Sequence, residues 1–455
     1  MTVAYLANLF PSPVEPYVGD EIAELRQRGV RVVTASVRRA PSPYGERADV
    51  CLQSLGLMVL LRAAWLCLKR RKQISDVVLR VIAGGREGLV PRAKAMFHTW
   101  LGACYAVVLT DREIDHIHVH HGYFGSWVAM VAARLLNAGF SMTLHGSDLL
   151  LRGAYLDVKL ANCAFCLTVS EFNRNYILRH YPRAQQVKVV VSRLGVEVSE
   201  RIAITPRNRR ARPLHLVAVG RLHTVKDHAF LARACAQLAD RGVPFECSIA
   251  GEGPERQHLE SLIRQLGLEN RVTLLGHVAR RQMDSLYDRA DVVVLTSRSE
   301  GLPLVLMEAM ARGKIVLAPL ITGIPELVIS GKTGFLYEPG CLNDFVRQVL
   351  AIYSVTQASG RARSNPGMHP ARRSLDWVSY AAQVQVQHNF DRRKNLESFG
   401  DIFMQRLCTR TESALHENFV LQQVQLSVQR HRSVPVRADG VAAFAGARDR
   451  AVFDG

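Results

Sequence analysis

The stretch DVVVLTSRSEGLPLVLMEAMARGKIVLAP, residues 291–319, decides the fold class. DVVVLTS is a short, β-branched, uninterrupted apolar run, the pattern of a strand buried on both faces. SRSEGL is its exit loop, and Pro303 stands where a helix has its first position, which leaves its N–H unbonded in any case. The helical pattern runs to Gly313, and KIVLAP resumes a buried strand. Strand, helix and strand at this spacing make a βαβ unit and therefore a parallel sheet. The N–H groups around Gly301 and Leu302, and those of the first turn that follows Pro303, from Leu304 on, face the end of the sheet where such folds bind ligands. Two acids bracket this turn: Glu300 in the loop and Glu308 five residues into the helix, roughly 7 Å along its axis. Because buried carboxylates are costly unless paired, the spacing suits a ligand with hydroxyls at both ends and anionic groups between.

The same texture extends in both directions. LHLVAVG (214–220), FECSIAG (245–251) and VTLLG (272–276) read as strands, alternating with helical patterns at HAFLARACAQLADRG, SLIRQLGL and RRQMDSLYDRA. In the N-terminal half TVAYLANLF, VRVVTASVR, HIHVHHGYFG, FSMTLHGSD, CAFCLTVS and VKVVVSRLG read as strands, with longer helical insertions between them. The expected architecture is α/β, with two doubly wound Rossmann-like domains and a ligand cleft between them. Their expected bounds are 1–204 and 214–380, joined by the basic, proline-flanked linker 205–213. QASGRARSNPGMHPARR (357–373) reads as loop, and 409–455 as a tail of little periodicity.

Bulk properties narrow the classes. At 455 residues the chain suggests two domains, and its formal charge of +18 implies anionic partners. Nine cysteines at irregular spacing, with no secretory signal, read as reduced thiols in a cytoplasmic protein, and the Cys163–Cys166 pair reads as core packing. LGLMVLLRAAWLCL (55–68) is too short to span a bilayer, which needs about 20 residues. It is followed at once by Lys69, Arg70, Arg71 and Lys72, so it reads equally as a core helix or as a helix lying on the anionic inner face of a membrane.

Several motifs can be set aside. GEG at 251–253 would need a third glycine at Arg256 to be a dinucleotide fingerprint, and SGKTG would need its first P-loop glycine at Glu326. His116, His118 and His120 alternate on one strand, but the sequence supplies no second ligand cluster, and no metal is expected. Arg221 and Lys226 leave the C-terminal end of strand 214–220, and a planar fork beside a compact charge suits a diphosphate. Together with the glutamates, this describes a nucleotide sugar: hexose hydroxyls, diphosphate, ribose hydroxyls.

The context S-x-x-E-G-L-P-x-x-x-x-E-A-M-A-x-G resembles the GT4 family (group 1) of retaining glycosyltransferases, which have the GT-B fold. VGRLHTVKD, IAGEGPER, RVTLLGHV and GIPELVISGKTGFLYEPG follow the family's order. EPYVGDEIAELRQRGVRV, HIHVHHGYFG, TLHGSDL and LTVSEFNRNYILRHY look like its exopolysaccharide (colanic-acid-type) branch. The resemblance implies that Arg221 and Lys226 bind the donor diphosphate and that Glu300 with the amides of 301–304 holds the donor sugar. Glu308 would bind the ribose, and the backbone near Val272 the base. His145 would lie beside the reacting sugar, with His118, His120 and Gly19 on the acceptor side.

It implies further that 381–408 is a closing helix returning to the N-terminal domain. The donor would be a UDP- or GDP-linked sugar and the acceptor a glycan or polyprenyl-diphosphate-linked saccharide, with no cofactor. The first turn, LFPSPVEPYVG, lacks the family's paired-glycine acceptor loop. A nucleotide-sugar epimerase of the same fold is the alternative, and a basic nucleic-acid binder a lower-ranked one; no nucleic-acid motif is present, and nucleic acid is not an expected partner.

Overall fold

The computed structural model describes residues 1–12, 15–39, 48–52, 55–85, 87–151, 153–185, 188–199, 202, 212–361 and 370–408. In chain order the first half contains β1 (Thr2–Phe10), α1 (Pro16–Gln27), β2 (Arg31–Arg39), β3 (Val50–Cys51), α2 (Leu57–Lys69), α3 (Arg71–Ala83) and α4 (Leu89–Leu109). It continues with β4 (His116–His120), α5 (Phe124–Leu136), β5 (Gly139–Leu144), α6 (Ser147–Leu150), α7 (Leu156–Ala161), β6 (Phe165–Thr168), α8 (Glu171–His180) and β7 (Lys188–Val191). The strands form one parallel sheet in the order β3-β2-β1-β4-β5-β6-β7. The order reverses between β1 and β4, which opens a crevice beyond their carboxyl ends.

The second half repeats the plan with β8 (Leu214–Val219), α9 (His228–Asp240), β9 (Phe245–Ala250), α10 (Arg256–Gln265), β10 (Val272–Gly276), α11 (Arg280–Arg289) and β11 (Val292–Val294). It ends with α12 (Leu304–Ala311), β12 (Ile315–Pro319), α13 (Ile324–Leu327), β13 (Phe335–Tyr337), α14 (Leu342–Arg361) and α15 (Pro370–Asn389). Its parallel sheet has the order β10-β9-β8-β11-β12-β13, with the reversal between β8 and β11. Thus the unit read from 291–319 is β11–α12–β12. β11 is buried on both faces, as its unbroken valine run requires.

Local chemistry fixes the helices that point at these crevices. α1 begins with Pro16 in its first turn and buries Val18, Glu21, Ile22 and Leu25, three to four residues apart on one face. Asp227 caps α9 by accepting the Phe230 N–H at 3.3 Å, and Ser170 caps α8 by accepting that of Asn173 at 3.1 Å. Cys163 and Cys166 are both buried in the sheet core, with thiols donating to carbonyls of Phe165 and Leu167; burial raises the Cys163 thiol to about 12, far from redox chemistry.

The structure corrects the sequence reading in several places. The 357–373 segment is helical at both ends, in α14 and α15, because Phe345, Val346, Val349 and Ile352, then Leu375, Val378, Ala382 and Val386, supply buried faces at helical spacing on either side of the glycines and prolines. Residues 362–369 lie outside the described residues, as do 205–211 of the linker and 409–455 of the tail. Strand β4 stops at His120, not in HGYFG, because Phe124 already opens α5; β5 likewise stops at Leu144.

The closing helix is two helices. α15 packs on α12 and α14, and a new helical stretch starts at 392, after Asp391 bridges to Val196. From that stretch, Asp401 and the Glu397 carbonyl accept from Arg28 next to α1, so the chain does return to the first sheet's side. A second compact unit begins at Phe403; its described residues, 403–408, are helical.

α4 lies against α5 with Gly102 at the contact: a Cβ there would sit 2.7 Å from the Val131 Cβ and 2.9 Å from the Val128 carbonyl oxygen. Overpacking of this kind costs about 1–3 kcal/mol. Gly102→Ala should therefore lower the thermal midpoint measurably, and an unchanged melting curve would show that the two helices are not held at this distance.

Candidate active site

At the second sheet's switch point two loops meet. The loop after β8, Gly220–Asp227, carries exposed Arg221 and half-buried Lys226; the loop after β11 carries Glu300 and leads into α12. Lys226 Nζ donates to Glu300 Oε1 at 2.5 Å. The Thr296 hydroxyl donates to the Lys226 carbonyl at 2.9 Å, and the Arg298 N–H to the Val225 carbonyl at 2.8 Å, so the two loops are stitched along their length. Gly251 and Gly253 press on the first loop: a Cβ at Gly251 would lie 1.9 Å from the Gly220 carbonyl oxygen. The GEG sequence thus serves close loop packing. Pro303 is the N-cap of α12 rather than its first helical residue, since its ψ of 113° is still extended. Gly301, Leu302 and Pro303 are buried around that helix start, Leu304 is half-buried, and the first N–H groups of a helix lack intrahelical acceptors. Glu308 faces α11 and accepts from the Tyr287 hydroxyl at 2.7 Å.

At the first sheet's switch point lies a polar cluster. The three histidines of β4 share one face, as expected from alternation. His116 and His118 both reach the Ser141 hydroxyl, at 2.6 and 2.8 Å, and His118 also reaches that of Thr143 at 3.1 Å. His120 Nε2 is 3.0 Å from Glu21 Oε2, and its Nδ1 is 2.9 Å from His145 Nε2. Burial first, and then the neighbouring imidazoles, hold both His118 and His145 well below the ordinary histidine value, so both rings are neutral. The Asp148 carboxylate gathers the loop ends, accepting N–H groups of Gly122 (2.8 Å), Gly146 (2.8 Å) and His145 (3.1 Å). Glu21, His118 and His120 have ligand atoms within 4.8 Å of one another. Their polar atoms are already engaged with one another, Ser141, Thr143, Tyr5 and His145, so a cation there would have to displace a set of hydrogen bonds.

The two switch points face and touch. A Cβ on Gly301 would fall 1.7 Å from the His145 carbonyl oxygen, and one on Gly146 would fall 2.8 Å from the Gly301 nitrogen. Glu326 of α13 accepts the N–H groups of Glu171 (3.0 Å) and Phe172 (2.7 Å), capping α8 from the other domain. Glu300, Gly301, Lys226 and His145 are therefore brought together. Two expected residues are not. Val272 sits at the start of β10 with its side chain in the core, at the opposite end of the strand from the crevice; Gly276, His277 and Val278 occupy the crevice end. Gly19 is exposed within α1, with nothing within 4 Å of a Cβ. Sequence reasoning missed Tyr5, Glu15, Glu21 and Asp148; only the aspartate had a local signal, in an Asx-type turn after TLHG.

Comparison with known proteins identifies the family and the fold. Residues 202–365 match the profile of the glycosyl transferases group 1, and residues 14–200 that of Glycosyltransferase Family 4. The D-inositol 3-phosphate glycosyltransferase of Corynebacterium diphtheriae is 31% identical over 345 residues, covering 68% of this chain and 78% of that one. The chain belongs to the family 4 (group 1) glycosyltransferases. A colanic acid biosynthesis glycosyltransferase of Escherichia coli K12, WcaL, is 39% identical over 155 residues, which is 33% of this chain and 38% of that protein, so the match spans under two fifths of that relative's length. The crystal structure of a glycosyltransferase from Rickettsia africae aligns over 89% of this chain and 98% of that one, with 18% identity and a TM-score of 0.62; the shared fold is GT-B. Neither matched profile nor any of these three relatives is an epimerase.

One ion pair beside the first sheet's crevice holds a histidine above its ordinary value. His121 Nε2 lies 2.6 Å from Glu15 Oε1 and its Nδ1 3.8 Å from Asp148. Burial opposes a charged ring, but the Glu15 hydrogen bond and the Asp148 and Glu15 charges outweigh it and raise the His121 value. Burial also opposes a charged Glu15, yet His121, then His120 and Arg221, lower its value. A raised histidine stabilises the fold fully below its unfolded value of about 6.5. That stabilisation disappears as pH rises through the folded value. Thermal midpoints measured from pH 5.5 to 9 should fall on the alkaline side more in wild type than in Glu15→Gln; parallel curves would contradict the pairing.

Proposed function

We propose that this glycosyltransferase moves a hexose from a nucleotide diphosphate sugar to a hydroxyl of a glycan or lipid-linked saccharide, with retention at the anomeric carbon. The observation that carries the reading is the convergence of Lys226, Glu300 and the α12 N-terminus on one side of a crevice with His145 on the other. Arg221 and Lys226 neutralise the leaving diphosphate, aided by the α12 dipole, because preorganised positive groups act where negative charge develops. Binding of the diphosphate draws Lys226 from Glu300, which frees that carboxylate for sugar hydroxyls. Glu308 takes the ribose, and the base lies at Gly276–Val278 rather than at Val272. The donor phosphate oxygen accepts the acceptor proton on the front face, so Glu300 positions and stabilises rather than acting as a glycosidase acid. Exopolysaccharide synthesis is the setting suggested by the colanic acid relative.

Nucleoside diphosphate release from a panel of UDP- and GDP-sugars, with lipid-linked saccharide acceptors, tests this. Turnover of one donor is expected, with a loss of about a hundredfold or more in Glu300→Ala and Arg221→Ala. Full activity in both variants would remove the site assignment.

The acceptor reading extends to the membrane. No helix among the described residues is long and apolar enough to cross a bilayer. α2, however, has two apolar faces. Val59, Leu60, Leu66 and Cys67 pack on the core, while Leu57, Leu61, Trp65 and Leu68 stand 58–71% exposed, beside exposed Arg62, Lys69, Arg71 and Lys72. An exposed apolar stripe with a basic flank fits an anionic bilayer surface. Flotation with anionic liposomes at low salt should carry the protein, and Leu61→Asp/Trp65→Asp should stay behind. Equal behaviour of the two proteins would show that α2 is not the contact.

A further inference from the structure

Behind His145 the buried groups form a chain that reaches α1. Glu21, on the inner face of α1, and His120, at the end of β4, are each 4% exposed. Tyr5 of β1, 1% exposed, donates its hydroxyl proton to Glu21, and its oxygen lies 3.0 Å from His120 Nε2. Every partner offered to His120 Nε2 is thus an oxygen able to accept: Glu21 Oε2 at 3.0 Å and the Tyr5 hydroxyl. A buried carboxylate demands donors, so the Nε2 position of His120 carries its proton. A neutral imidazole holds one N–H only. In a neutral His120 the Nδ1 is then a bare acceptor, and the 2.9 Å contact to His145 Nε2 needs its proton from His145.

We propose that Glu21, a positioning residue acting through His120, fixes His145 as the tautomer protonated on Nε2, so that its Nδ1 is an acceptor only. A hydroxyl that reaches Nδ1 must then donate, which sets the direction of that hydrogen bond. The use of that acceptor toward a sugar or acceptor hydroxyl rests on the transfer reading above; the tautomer itself does not. The neutral state agrees with the burial of His145 among the rings of His120, at 5.2 Å, and His121, at 4.6 Å between centroids. The orienting logic is that of any partner that fixes a histidine through its second nitrogen.

Full-length protein labelled with ¹⁵N-histidine gives the tautomer directly from two-bond ¹H–¹⁵N couplings, with His145→Gln assigning the signals by their loss. Wild type should show His145 protonated at Nε2 and unprotonated at Nδ1. Glu21→Leu, or Glu21→Asp where the leucine variant does not fold, should shift His145 to a mixture of tautomers. Glu21→Gln keeps an acceptor oxygen and should restore the wild-type spectrum. A proton on Nδ1 in wild type, or a Glu21→Leu or Glu21→Asp spectrum identical to wild type, overturns the proposal. With a turned-over donor in hand, the variant with the mixed tautomer should lose about tenfold in kcat and Glu21→Gln should not. If wild type turns over no donor, the transfer reading fails while the spectra still decide the tautomer.

Discussion

The His145 carbonyl oxygen resting on Gly301 is the contact on which the site depends. No side chain fits between them, so at this point the two sheets meet main chain to main chain, while the Glu326 carboxylate on the Glu171 and Phe172 N–H groups adds a side-chain contact beside it. Gly323 repeats the device one loop further on, with its missing Cβ replaced by the Gly301 carbonyl oxygen at 2.4 Å and by Ser170 at 3.1 Å. Main-chain contact also places the start of α12 directly opposite the buried histidines.

Each half satisfies its own buried polar groups by internal hydrogen bonding. Asp148 is fully buried and accepts from three loop N–H groups; Lys159, equally buried, donates to the carbonyls of Gly122, Tyr123 and Ala154, and burial lowers its value to about 7. These two side chains hold opposite ends of the same loop set rigid without offering charge to the crevice. The groups left facing the crevice are the ones with replaceable partners. A scaffold that satisfies its own polar atoms elsewhere keeps its exchangeable hydrogen bonds where a ligand arrives.

How much of this was legible follows from the range of each signal. β11, α12 and β12 could be read because apolar runs and a proline encode local structure within a few residues. The Arg221–Lys226 loop and the Glu300–Glu308 pair were readable as well, since both sit at strand ends that periodicity locates. The Lys226–Glu300 bond was not, because it joins residues 74 apart across a sheet switch point. Glu21 carries no local signal in the helical pattern of 16–27; only the fold turns it inward beneath His120. Val272 came from the resemblance alone, and it stands at the amino end of β10, whose carboxyl end at Gly276 meets the crevice. The helices α14 and α15 were hidden by a glycine- and proline-rich composition between apolar faces whose helical spacing is clear only once their partners are known.

The Lys226–Glu300 ion pair has a thermodynamic consequence. Each partner satisfies the other, so neither is available at full strength to half a ligand. An anion that draws the lysine away leaves the carboxylate seeking donors, and a sugar that engages the carboxylate leaves the lysine seeking an anion. On the donor reading proposed above, filling one of these two positions would raise affinity at the other, with a positive coupling free energy equal in either order of filling. Molecules carrying both functions are favoured over the sum of their fragments, and discrimination of this kind needs no movement of the backbone.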